Sequence, residues 1–214
     1  MMQILDRFPT TVKLKQSYPE MKAIFFDMDG TLFDTEIYHT KAMLEIAAQY
    51  KIQAPYSPDV IHSMLIGKAD YLVFEIIKDW PGFPSSWSAQ DFVDEKNKHF
   101  LKIMEKEDGD NYFAPDLALF LQEARAQNIY LSLVTSSERI VTEKLLGLVG
   151  LNSFFDLVLT RDDCPFHKPH PWPYLKAIES AQCLPHEAII FEDSPIGLEA
   201  AKASSAHVIK VEWY

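Results

Sequence analysis

The chain has 214 residues, of which 48% are hydrophobic and 24% charged, an ordinary globular composition that argues against disorder. Twenty Lys and Arg stand against thirty-one Asp and Glu, a formal net charge of -11, and no basic run offsets it. A body this acidic repels phosphate backbones and anionic lipid, so neither a nucleic acid nor a membrane surface is an expected partner.

The first twenty residues carry Asp6, Arg7, Lys13, Lys15 and Glu20 and no continuous apolar stretch, so no secretory signal is expected. Their apolar residues follow no clear period. This extension either packs across the core or frays. No run of 18 apolar residues occurs anywhere, which leaves nothing to span a bilayer as a helix. Cys164 and Cys183 are too few for a disulfide framework and lack metal-ligand spacing. Two reduced thiols in a cytoplasmic protein are the expectation.

Ala23-Ile24-Phe25-Phe26 is a short apolar run ending in Asp27 and predicts a buried strand. Similar runs recur at 129–134, 157–159, 188–191 and 207–211. Helical stripes lie between them: Leu117, Phe120, Leu121 and Ala124, then Val141, Leu145 and Leu148, then Tyr174, Leu175 and Ile178. This alternation predicts an α/β fold with a parallel sheet and helical crossovers.

Residues 36–112 break the rhythm. Their pattern is mostly helical with no convincing strand, with Pro-rich breaks at Pro55-Tyr56-Ser57-Pro58 and Pro81-Gly82-Phe83-Pro84-Ser85-Ser86, and they end in the charged run Glu105 to Asp110. The parse is an all-helical unit inserted after the first strand of an α/β core formed by residues 1–35 and 113–214. Trp80, Phe83, Trp87 and Phe92 are expected to be that unit's own small core, which a helical unit of this size needs.

Asp27 and Asp29 leave the first strand together, and Gly30 allows a sharp turn behind them. Ligand crevices of open parallel sheets lie at the carboxyl ends of the strands. A later strand ends in Glu192 and Asp193, with Ser194 expected as a helix N-cap and Pro195 as the first helical residue. If the two strands are neighbours, their carboxylates converge, repel, and call for a cation. An all-oxygen acidic site suits Mg²⁺. Thr135-Ser136-Ser137-Glu138 follows another strand, with hydroxyls at a helix start that favour an anion and a capping box expected from Thr135 to Glu138. Lys168 sits between His167 and Pro169; by itself such a lysine reads as a solvated loop residue.

Together these segments resemble the haloacid dehalogenase (HAD) superfamily. Asp27-Met28-Asp29-Gly30-Thr31-Leu32-Phe33-Asp34-Thr35 is similar to its first motif and Thr135-Ser136 to its second. Lys168-Pro169-His170-Pro171 is similar to its third, and Phe191-Glu192-Asp193-Ser194-Pro195-Ile196-Gly197 to its fourth. Order and spacing fit the subgroup with a helical cap after the first motif, which includes phosphatases and beta-phosphoglucomutase-like proteins, on a Rossmann-like parallel-sheet core.

The resemblance implies that Asp27 is the nucleophile forming an aspartyl-phosphate and that Asp29 is the general acid and base. It implies that Thr135 and Ser136 bind phosphoryl oxygens and that Lys168 offsets their charge. Mg²⁺ would be held by Asp27, Asp193 and the main-chain carbonyl of Asp29, with Glu192 nearby. Asp29 points to phosphate chemistry rather than halide displacement. In the cap, His39, Gly67 and Lys68 are candidate substrate contacts. The bland readings are helix packing for His39 and a solvated side chain for Lys68. His167 stands where relatives often have Gly, which bears on the subfamily and the substrate.

The expected activity is a Mg²⁺-dependent phosphatase acting on a small phosphorylated metabolite, such as a sugar phosphate, by a monomer or weak homodimer. The alternatives are a phosphomutase of the beta-phosphoglucomutase type, or a catalytically weak binding protein on the same fold.

Overall fold

A computed structural model describes residues 3–5 (main chain only), 8–66, 68–107, 114 and 116–212. The chain divides into two compact units, Met1–Asp34 with Tyr112–Tyr214, and Thr35–Asn111.

The first unit is built on a parallel sheet. Its strands are β1 (Gln3–Leu5), β2 (Ala23–Phe26), β3 (Tyr130–Val134), β4 (Leu157–Leu159), β5 (Ala188–Glu192) and β6 (His207–Val211), in the order β1-β6-β5-β2-β3-β4. β2 lies at the centre, with Phe26 in register with Phe191 of β5 on one side and Leu133 of β3 on the other. Every residue of β2 and β5 is buried, which explains why they read as continuous apolar runs rather than alternating ones. Five helices belong to this unit among the described residues: α1 (Thr11–Ser17), α6 (Leu117–Ala126), α7 (Arg139–Leu148), α8 (Trp172–Ser180) and α9 (Pro195–Ala203).

The stripe expected on α6, Leu117, Phe120, Leu121 and Ala124, is its buried face. Two stripes are corrected by one residue. Leu146 is buried on α7 and Leu148 exposed, and Ala177 is buried on α8 while Leu175 is exposed. In both cases the exposed residue falls beyond the edge of the helix face that is buried.

The described part of the N-terminal extension packs on the sheet unit. β1 pairs in parallel with β6, and Leu14 of α1 is buried. Phe8 is buried with its ring 5.1 Å from Phe120, 5.4 Å from Phe191 and 6.0 Å from Phe26. Thr11 donates to Glu123 through both its amide and its hydroxyl, tying α1 to α6.

The second unit holds α2 (Glu36–Tyr50), α3 (Pro58–Leu65), α4 (Asp70–Ile77) and α5 (Ala89–Met104). Pro58 opens α3, as the Pro-rich break requires, and Ser88 caps α5 by a reciprocal box with Asp91. Met43, Ile46, Ile61, Val73, Ile77, Trp80 and Phe92 form its core, and Phe83 and Trp87 pack against it. The aromatics are thus core residues. No helix among the described residues is long and apolar enough to cross a membrane. Cys164 and Cys183 are free thiols, and burial pushes the Cys164 thiol up to about 11.

Candidate active site

The sheet order brings the carboxyl ends of β2, β3 and β5 side by side, so the segments that follow them share one edge. The Asp27 amide donates to the Phe191 carbonyl at 3.0 Å, which carries the β2–β5 ladder one residue further and seats Asp27 against β5. Behind it the chain turns tightly. The amides of Thr31, Leu32 and Phe33 all point to the Met28 carbonyl, at 3.2, 2.8 and 3.1 Å. Gly30 sits at φ +80°, and a Cβ there would overlap the Asp193 carboxylate. Glycine is required twice over, for the left-handed backbone and for the close approach of Asp193. Thr31 then donates its hydroxyl to Asp193 Oδ1 at 2.8 Å.

Lys168 is buried, not solvated, at 7% exposure. Its ammonium donates to Asp27 Oδ1 at 2.6 Å and to Glu192 Oε1 at 2.9 Å, and it lies 5.0 Å from the centre of the Tyr174 ring. Burial alone would lower its pKa; the facing charges of Asp27 and Glu192 outweigh this and hold it well above the usual lysine range. Asp27 is pushed well above the usual carboxylate range, first by burial and then by Glu192 and Asp193, with Lys168 pulling the other way.

Glu192 is fully buried and both its oxygens are engaged. Oε1 accepts from Lys168 and from the Tyr174 hydroxyl at 3.4 Å, and Oε2 accepts from the Ser194 amide at 2.8 Å and hydroxyl at 3.2 Å. Ser194 caps α9 as expected, accepting from the Gly197 amide at 3.0 Å, with Pro195 opening the helix.

Ligand oxygens of Asp27, Glu192 and Asp193 all lie within 4.8 Å of one another. The Lys168 ammonium bridges two of these three carboxylates, and the donors of the cluster are all hard oxygens. Such donors fit Mg²⁺. The Asp29 carboxylate is not in this cluster. It accepts from the Ser137 hydroxyl at 2.6 Å.

Thr135 is buried at the exit of β3, its amide held by the Leu159 carbonyl at 2.9 Å. The capping box from Thr135 to Glu138 does not form. α7 begins at Arg139, and Thr135 Oγ1 accepts instead from the Ser137 amide at 3.0 Å, closing a turn two residues long. The first amide of α7 is taken by Asp162 from the 3-10 turn Arg161–Asp163. Ser136 is half-buried in the same turn.

The other candidates belong to the helical unit. His39 of α2 is half-buried, with its ring stacked on Phe100 of α5 at 4.0 Å. Lys68 is exposed between α3 and α4. Gly67 lies outside the described residues. Two residues around the site were not singled out from the sequence. Tyr174 reads as one more apolar residue of its stripe; only the rule that a buried phenol needs a partner marks it. Ser137 is the third hydroxyl of a run whose first two carry the motif.

Comparison with known proteins agrees with this geometry. The chain is 29% identical over 187 residues to the phosphorylated carbohydrates phosphatase of Thermotoga maritima, covering 86% of this chain and 82% of that one. It is 26% identical over 194 residues to the fructose-1-phosphate phosphatase of Escherichia coli, covering 91% and 98%. The crystal structure of CbbY from Rhodobacter sphaeroides in complex with phosphate superposes with a TM-score of 0.79 at 26% identity, over 90% of this chain and 86% of that one. Beta-phosphoglucomutase from Clostridium difficile shares the fold, with a TM-score of 0.73 at 23% identity. Residues 24–211 match the family described as haloacid dehalogenase-like hydrolase. With that match spanning most of the chain, and both the fold and the resemblance read from the four motifs upheld, the chain belongs to the haloacid dehalogenase-like hydrolase family.

Proposed function

We propose that this chain is a Mg²⁺-dependent phosphatase that hydrolyses a small phosphorylated metabolite, a sugar phosphate being the first choice, through an aspartyl-phosphate on Asp27. The observation that carries this reading is the buried Lys168 ammonium on Asp27 Oδ1, set beside the carboxylates of Glu192 and Asp193. The names of the Thermotoga maritima and Escherichia coli relatives support it.

In this reading a carboxylate oxygen of Asp27 attacks phosphorus. Asp29 protonates the leaving oxygen and then takes a proton from the attacking water. Thr135 and Ser136 donate to the phosphoryl oxygens, and Lys168 offsets the charge that builds on them. Asp27, Asp193 and the Asp29 main-chain carbonyl would hold Mg²⁺, with Glu192 beside it. When bound, the ion supplies charge neutralisation of the phosphoryl oxygens. The helical unit Thr35–Asn111 is assigned as the cap, with His39, Gly67 and Lys68 as its candidates for leaving-group choice. The protein is placed in the cytoplasm as a monomer or weak homodimer.

The test is a panel of phosphorylated metabolites, read by phosphate release and by product isomer, with Mg²⁺ and with chelator. Phosphate release that needs Mg²⁺ and is lost in Asp27→Asn is expected. Turnover by Asp27→Asn at the wild-type rate would falsify the assignment, and isomer formation without phosphate release would transfer the protein to the phosphomutases.

A further inference from the structure

The turn after β3 is held more tightly than phosphate binding by Thr135 and Ser136 requires. The Ser137 amide donates to Thr135 Oγ1 at 3.0 Å, and its carbonyl accepts from the Arg161 amide at 3.0 Å. Two residues on, the Arg139 amide donates to Asp162 at 2.8 Å and the Arg139 guanidinium to both oxygens of Asp163. Asp163 in turn accepts from the amide and hydroxyl of Thr160. The Ser137 main chain is therefore pinned on both sides, and only χ1 remains to place its hydroxyl. That hydroxyl donates to Asp29 Oδ2 at 2.6 Å, a short bond of the kind made to carboxylate oxygens.

We propose that Ser137 is a positioning residue for Asp29: by holding Oδ2 it orients the carboxyl group for proton exchange with the leaving group. The proposal rests on the acid and base role given to Asp29 above. In the first half-reaction an Asp27 oxygen bonds to phosphorus and the phosphorus–oxygen bond to the leaving group breaks. Its electron pair stays on the leaving oxygen, which takes the proton from the Asp29 carboxyl group and leaves Asp29 a carboxylate. In the second half a water oxygen bonds to phosphorus, its proton passes to the Asp29 carboxylate, and the bond to Asp27 breaks to restore the Asp27 carboxylate. A misaligned acid hurts most when the leaving oxygen is strongly basic, because that oxygen must be protonated as it departs.

The experiment compares kcat/KM of the full chain with Mg²⁺ on p-nitrophenyl phosphate, whose leaving group needs little help, and on phenyl phosphate, whose leaving group is more basic. Ser137→Ala is expected to lose on the order of tenfold on phenyl phosphate and less than about threefold on p-nitrophenyl phosphate. Ser137→Thr, which keeps the hydroxyl, is expected to recover most of the phenyl phosphate rate. Asp29→Asn should show the same bias more strongly. Equal losses on both esters, no loss, or a gain in Ser137→Ala would overturn the proposal. Asp27→Asn separates the two readings. If it still turns over, the phosphatase assignment fails; if it is dead and Ser137→Ala is unbiased, only the role of Ser137 fails.

Discussion

Lys168 shows how far the setting of one residue changes its meaning. Lysine is seldom buried, and between His167 and Pro169 it reads as a solvated loop residue. The sheet instead places it between Asp27 and Glu192, where it offsets two carboxylates that have little access to water. Removing it would leave the two enclosed carboxyl groups without a cation, which Ser194 and Tyr174 cannot supply. Lys168→Met should therefore lower stability by about 3–5 kcal/mol, the range for breaking a buried pair from one side. It should also abolish phosphate release. Urea denaturation of the variant checks the first outcome; a midpoint equal to that of wild type would mean that the pair does not hold the site together.

At the scale of the element, α9 reverses an ordinary rule. Alanine in place of glycine within a helix stabilises by about 1 kcal/mol in the absence of other contacts. At Gly197 a Cβ would overlap the Glu192 carboxylate. That carboxylate cannot swing aside without releasing Lys168, Tyr174 and Ser194. Gly197→Ala is thus expected to lower both the thermal midpoint and the turnover, and a thermal scan showing a higher midpoint would contradict the packing described. The start of α7 teaches a related lesson. Its Thr-x-x-Glu spacing suits a capping box, but Thr135 bonds to the nearer Ser137 amide, and a carboxylate from a distant turn supplies the cap.

For the molecule as a whole, the first twenty residues are part of the sheet unit although they lie outside the family match at 24–211. Phe8 supplies a ring to a cluster with Phe26, Phe120 and Phe191, drawn from three separate elements. Phe8→Ala should cost about 3–5 kcal/mol, as expected for truncating a buried Phe. Urea denaturation measures this directly, and a loss below about 1 kcal/mol would show that the core closes without the extension. The helical unit keeps a separate core of its own around Trp80 and Phe92, which accounts for aromatic residues that would otherwise invite a ligand.

Much of this was legible in the chain itself. The buried strands announce themselves because residues enclosed on both faces must be apolar in succession, and β2 to β6 begin and end within a residue or so of the runs. Asp27, Asp29, Glu192, Asp193 and Thr135 stand at strand exits, where local order suffices to find them, whereas Lys168 stands in a loop and is marked only by its likeness to the third motif. The acidic balance of -11 likewise argues against a nucleic-acid partner from composition alone. Partners distant in sequence are another matter. That Phe8 joins the ring cluster of Phe120 and Phe191, that Ser137 meets Asp29 across 108 residues of sequence, and that Tyr174 meets Glu192 across 18 depend on which side chains the fold brings together. No periodicity encodes such meetings. Strand order and the close packing it imposes decide them.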